Sequence, residues 1–192
     1  MDEIINLDKE AFLFLNGLHS SFFDRIMPLL TETYFWLPLY LFLIFIIIKK
    51  YKKDFVWILV GAIVTIVLCD QITTGFMKPF FARLRPSHEP GLDGLVHIVN
   101  NYRGGLYGFA SSHAANTFGI AMFLWLALKS NFKWIGLIFI WAAMMTYTRI
   151  YLGVHYPADI IVGALIGVGC GLIAFKLSSY LIDRNKKTTP VT

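Results

Sequence analysis

Cysteine and acidic side chains are scarce in this sequence, and each shortage narrows what the protein can be. Only two cysteines are present, Cys69 and Cys170, and both lie inside apolar stretches. With no C-x-x-C pair and no Cys/His cluster, neither a zinc site nor a disulfide framework is written into the chain. The two thiols are expected to pack as small buried hydrophobes. Charged residues make up 15% of the chain, with 12 Asp+Glu against 17 Lys+Arg and a net charge of +5. No basic helix and no stacking platform accompanies the excess, so nucleic acid is not an expected partner. No internal repeat or low-complexity tract is visible, which excludes solenoids. The opening stretch, MDEIINLDKE, lacks the basic and apolar regions of a cleavable signal peptide. The first membrane helix is therefore expected to act as its own insertion signal.

Apolar residues are what the chain has in excess. They account for 57% of its 192 residues, and the mean hydropathy is +0.62. A soluble domain of this size cannot hide so much apolar surface, so lipid is the expected solvent. The predicted fold is all-α: one polytopic transmembrane bundle, 1–192, of about five spanning helices at ~20 apolar residues each. The spans are read at 27–48, 55–77, 113–128, 134–147 and 157–181. Residues 1–26 form an N-terminal segment, in which 7–24 read as an interfacial amphipathic helix or helix pair, with a sixth span as the alternative. Residues 182–192 form a polar, frayed tail on the cytoplasmic side.

Lysine asymmetry orients these spans. Lys49, Lys50, Lys52, Lys53, Lys129, Lys133, Arg184, Lys186 and Lys187 fall on one side, read as the cytoplasm of a bacterial inner membrane. The loops 78–112 and 149–157 then face the periplasm or exterior. Yet Lys78, Arg83, Arg85, Arg103 and Arg149 lie on that outer side. Cations that defy the topology rule need a reason, and an anion held between them is the simplest. Gly163, Gly167 and Gly171 make a smooth strip on the last span, read as a packing face inside the bundle, with a homodimer face as the alternative.

Three clusters share this outer face. The first is KPFFARLRP, with Lys78, Arg83 and Arg85; arginine grips a phosphate with paired hydrogen bonds, and lysine acts as a mobile point charge. The second is Ala110-Ser111-Ser112-His113 at a helix start, where free N–H groups and the dipole favour an anion. The third carries Thr148, Arg149, His155, Pro157 and Asp159. Pro157 suits a first helical turn. Asp159 either caps that helix or accepts a hydrogen bond from His155, freeing the other ring nitrogen as a nucleophile. Two histidines, a carboxylate and several cations at one membrane face point to phosphate chemistry.

These residues resemble the type-2 phosphatidic acid phosphatase family. Its K-x6-R-P motif is met by Lys78, Arg85 and Pro86, and its S-R-x5-H-x3-D motif by Arg149, His155 and Asp159, with Thr148 in place of serine. In P-S-G-H, Ser111 and His113 match, whereas Ala110 replaces proline and Ser112 replaces glycine. The resemblance implies a cofactor-free, metal-free, two-step phosphoryl transfer. His155 attacks phosphorus, His113 protonates the leaving oxygen, and Asp159 steadies His155. Lys78, Arg85, Ser111, Ser112 and Arg149 bind the phosphate, with Thr148 keeping a hydroxyl that can help.

The substrate is expected to be a lipid phosphate, with undecaprenyl diphosphate preferred on size and outward orientation. Lipid A phosphates, phosphatidylglycerophosphate and phosphatidic acid are the alternatives. A non-catalytic lipid or anion transporter is the rival from another class. The loop 87–110 is read as a mobile cover, with His88 and His97 as solvated loop residues. Asp70 is read as a partner for a clamp cation or for a neighbouring helix.

Overall fold

The computed structural model describes residues 2–188; Met1 and residues 189–192, the end of the expected tail, lie outside the described residues. The architecture is all-α, with no strand among the described residues and a single bridge between Leu84 and Tyr107. Two helical stretches, Thr33–Phe81 and Pro157–Lys186, are long and apolar enough to cross a membrane.

Helix α1 runs Asp2–Asn16 and α2 runs Phe23–Thr31. The helix or helix pair expected over 7–24 is met only in part: α1 covers its first half, whereas α2 starts only at Phe23 and runs on to Thr31. Phe12 is fully buried, and the Asn16 amide donates to the carbonyls of His97, Ile150 and Tyr151. The expected first span, 27–48, is a correction: the chain breaks at Glu32, which is extended at φ −81°, ψ 133°. Residues 27–31 thus belong to α2, and the long apolar helix α3 is Leu37–Tyr51. The break falls at Glu32, while Pro28 is accommodated inside α2, and the apolar residues on either side of the break still average to a span-like stretch.

After α3, Lys52 takes a positive φ of 49°, and the chain reverses into α4, Phe55–Asp70. The reversal is visible in the contacts: Lys50 donates to the Ala127 carbonyl, and Asp54 approaches Lys186, whereas Thr73 beyond the far end of α4 meets Ser112. A π-helical turn, Gln71–Met77, leads into α5, Lys78–Phe81. Then follow α6 (Ser112–Leu128), α7 (Ile138–Tyr151) and α8 (Pro157–Thr188). The fourth and fifth apolar segments therefore run to Tyr151 and Thr188, beyond the expected 147 and 181. Lys78 and Arg85 sit at the same end of the bundle as Ser112, His155 and Asp159, opposite Lys50, Asp54 and Lys186.

Helices α6 and α8 run in parallel and form the tightest contact. Any side-chain carbon at Gly163, Gly167 or Gly171 would strike the α6 backbone at Ser111, Ala115 and Gly119 in turn. The glycine strip is therefore occupied inside the chain. Cys69 and Cys170 are free and buried in the same seam, as expected. A larger apolar cluster fills the opposite half of the bundle around Ile47, Ile58, Phe123, Leu128 and Ile138.

The loop 87–110 is stitched down rather than left as an open cover. The Ser87 hydroxyl donates to the Arg103 carbonyl at 2.8 Å, and Arg103 donates back to the Ser87 carbonyl at 2.7 Å. His97 is also a correction to the solvated-loop reading. Its ring stacks on His19 at 3.8 Å and bonds the Asp24 carboxylate at 2.7 Å. The Tyr151 hydroxyl and His97 hold the Asp24 carboxyl below its ordinary value by stabilising the anion.

Candidate active site

His155 lies in the short turn between α7 and α8 and is 2% exposed. Its Nδ1 is 3.3 Å from Asp159 Oδ2, and its Nε2 is 3.3 Å from a terminal nitrogen of Arg85. A guanidinium has no acceptor. The network therefore requires the tautomer with hydrogen on Nδ1, bonded to Asp159, and the lone pair on Nε2, facing Arg85. Burial, then the charges of Arg85, Arg149 and Lys78, push the imidazole well below its ordinary pKa. A neutral ring with a directed lone pair is the form a nucleophile needs.

Asp159 sits in the first turn of α8, as Pro157 at the helix start foretold. The carboxylate is fully buried, and Oδ2 also accepts the Tyr156 N–H at 3.0 Å. Its other oxygen accepts from Arg83 at 2.9 Å. Gly108 lets the loop 87–110 lie on this pair, since a β-carbon there would stand 3.0 Å from Asp159 Oδ2.

Three cations surround the free face of the ring. Arg85 is 8% exposed and donates to the carbonyls of Tyr107 and Val154. Gly104, at φ 66°, makes room for it, because a β-carbon would come within 2.9 Å of the guanidinium. Arg149 is 4% exposed and donates to the Thr31 hydroxyl at 3.0 Å and the Tyr102 hydroxyl at 2.9 Å. Its Nε is buried without a partner among the described residues. Lys78 donates to the Ser112 hydroxyl at 2.7 Å and to Thr74 at 3.2 Å. The π-helical turn brings both Thr73 and Thr74 to that same hydroxyl, at 2.9 and 2.8 Å. Ser112, in the position of the motif glycine, is thus a hub that holds Lys78 in place. The positive charges of Arg149, Arg85 and Lys78 all bear on His113, which lines a cavity of about 300 Å³ with Arg149.

Some expected roles change. The Ser111 N–H donates to the Asp159 carbonyl, and the Ser111 hydroxyl caps Ala114. This leaves the first-turn N–H groups of Ser112 and His113, which have no intrahelical acceptor, as the backbone donors for an anion. The Thr148 hydroxyl donates to the Met145 carbonyl inside α7 at 2.7 Å and is fully buried. Arg83 and Arg103 do not join the clamp: Arg83 pairs with Asp8 and Asp159, and Arg103 with the loop backbone. Asp70 accepts from Asn116 at 3.0 Å, so its partner is a neighbouring helix. Asp8, Thr31, Thr73 and Tyr102 carried no motif signal. They are tied to the site only by folding.

Comparison with known proteins shows what the chain as a whole is similar to. Residues 54–183 match the PAP2 superfamily. The chain is 39% identical over 97% of its length to a lipid A 4'-phosphatase of Bacteroides thetaiotaomicron, covering 83% of that protein. A lipid A 4'-phosphatase of Porphyromonas gingivalis is 36% identical over 96% of this chain and 78% of its own. An undecaprenyl-diphosphatase of Sulfolobus acidocaldarius is 25% identical, over 93% of this chain and 82% of its own. The crystal structure of Aquifex aeolicus LpxE superposes with a TM-score of 0.67 at 29% identity, covering 88% of this chain and 95% of that one.

Proposed function

This chain belongs to the PAP2 superfamily, and on that footing we propose that it hydrolyses the phosphate ester of a membrane lipid through a phosphohistidine on Nε2 of His155. The observation that carries the reading is His155 held between Asp159 at Nδ1 and Arg85 at Nε2. In the first step the Nε2 lone pair forms a bond to phosphorus as the ester P–O bond breaks. His113 gives its proton to the departing oxygen. In the second, water attacks phosphorus, His113 takes the water's proton, and the P–N bond breaks to release inorganic phosphate. Lys78, Arg85, Arg149 and the α6 N-terminus hold the phosphoryl oxygens throughout.

In-line attack puts the leaving group on the far side of phosphorus from His155, next to its general acid. The cavity that His113 lines is bordered by Thr31, Glu32, Asn100 and Tyr102, with Arg149 as the cation on its wall. Hydroxyl, amide and carboxylate groups suit a hydroxylated sugar better than a second phosphate. Together with the 39% and 36% relatives, this favours a phosphorylated glycolipid of the lipid A class. Undecaprenyl diphosphate, the expectation from size and outward orientation, becomes the second reading; the 25% relative supports it.

The five-span topology, with His155 at the extracytoplasmic face, is part of the proposal. It is supported by Lys50, Lys52, Lys53, Lys129 and Lys186 near the opposite end. The test is phosphate release in detergent with a metal chelator, from lipid A, undecaprenyl diphosphate and phosphatidylglycerophosphate side by side. The highest kcat/KM is expected on lipid A. No release from any of them would overturn the proposal.

A further inference from the structure

The carboxylate behind His155 is not held by its own neighbourhood alone. Arg83 places one terminal nitrogen 2.9 Å from Asp159 Oδ1 and the other 2.7 Å from Asp8 Oδ2. Asp8 uses its second oxygen to accept the N–H of Ala158 at 2.9 Å. The guanidinium plane is further steadied over the Tyr156 ring at 4.1 Å. A closed circuit results: Asp159 side chain, Arg83, Asp8, and back to the α8 backbone beside Asp159. Asp8 comes from α1, which lies ahead of the residues 54–183 that match the superfamily.

We infer that Asp8 and Arg83 are positioning residues for the phosphoryl transfer, acting on His155 through Asp159. The inference rests on the phosphatase reading above. A fully buried carboxylate holds its charge and direction only while its partners hold theirs. Arg83 supplies the charge, and its planar fork sets the angle. Asp8 keeps that fork turned away from the phosphate clamp, so a cation two residues from Arg85 does not bind substrate. Through Asp8 the N-terminal helix thereby takes part in positioning the catalytic histidine.

Arg83→Gln, Asp8→Asn and the double variant, made in the full chain and assayed on the lipid that the wild type turns over best, test this. Arg83→Gln is expected to lower kcat by about 10–100-fold, the cost of losing a partner that orients a functional group. Asp8→Asn is expected to lower kcat less, and the double variant to be no worse than Arg83→Gln. KM and inhibition by inorganic phosphate stay within about twofold of wild type throughout, because the clamp is intact. Asp8→Glu and Arg83→Lys, which keep the charges, recover part of kcat; they also serve if the first variants do not fold. Unchanged kcat, losses that multiply in the double variant, a matching rise in KM, or no recovery in the charge-keeping variants would each overturn the inference. A wild type that releases no phosphate, or a His155→Ala protein that still does, would instead strike the phosphatase reading.

Discussion

The two sides of the His155 ring are built on opposite electrostatic plans. On the Nδ1 side every charged group is ion-paired, the carboxylates of Asp159 and Asp8 sharing the single guanidinium of Arg83. On the Nε2 side, among the described hydrogen bonds, Lys78, Arg85 and Arg149 bond only neutral groups and the His155 ring. Buried cations without carboxylates are costly unless an anion joins them. One side is therefore complete as it stands, and the other is complete only with substrate. Arg83 and Arg85, two residues apart in one loop, fall on different sides of this divide.

Substitutions should separate the two sides in a graded way. His155→Ala removes the atom both sides serve, and phosphate release is expected to fall by about 10⁴-fold or more, with the helical content by circular dichroism unchanged. Arg149→Ala opens a gap in the unpaired side and should cost ~10²–10³ in kcat; near-normal turnover would argue against the clamp. Gly108→Ala crowds the paired side, where Asp159 Oδ2 would stand 3.0 Å from the new carbon. A loss of about tenfold in kcat with little change in KM is expected, as for other displaced orienting groups.

The same asymmetry sets a pH dependence. Burial and the three cations hold the His155 imidazole well below its ordinary 6.5. The imidazole therefore stays neutral as pH falls through 6.5 and is protonated only at more acid pH. The His155 limb of kcat/KM should lie below 6.5 in the wild type. Arg149→Gln, which removes one cation, should move that limb toward higher pH. A wild-type limb at or above 6.5 would contradict the electrostatic account. The smallest effect is expected at Thr148→Ala: its hydroxyl is spent on Met145, so kcat/KM should change less than about twofold.

Much of the unpaired side was legible in the sequence, because its residues fall into short segments whose internal spacing the helices preserve. Lys78 and Arg85 flank one turn, and Arg149 and His155 lie close together at the α7–α8 corner. The paired side was half hidden. Arg83 was visible as a cation, but its partner Asp8 lies 75 residues away, and no local pattern announces that pairing. Thr31 and Tyr102 reach Arg149 across 118 and 47 residues for the same reason. The Thr73–Ser112 contact depends on the π-helical turn, which shifts the register of side chains by a residue. The break at Glu32 was missed because average apolarity reports solvent preference and says nothing of backbone continuity.

The most direct measurement is to quench turnover at alkaline pH, where a P–N bond survives, and to locate the phosphoryl group by mass spectrometry of the digested protein. The account predicts a phosphohistidine on His155, carried by Nε2 and absent from His155→Ala. A phosphoryl group on His113, or on Nδ1 of His155, would contradict it.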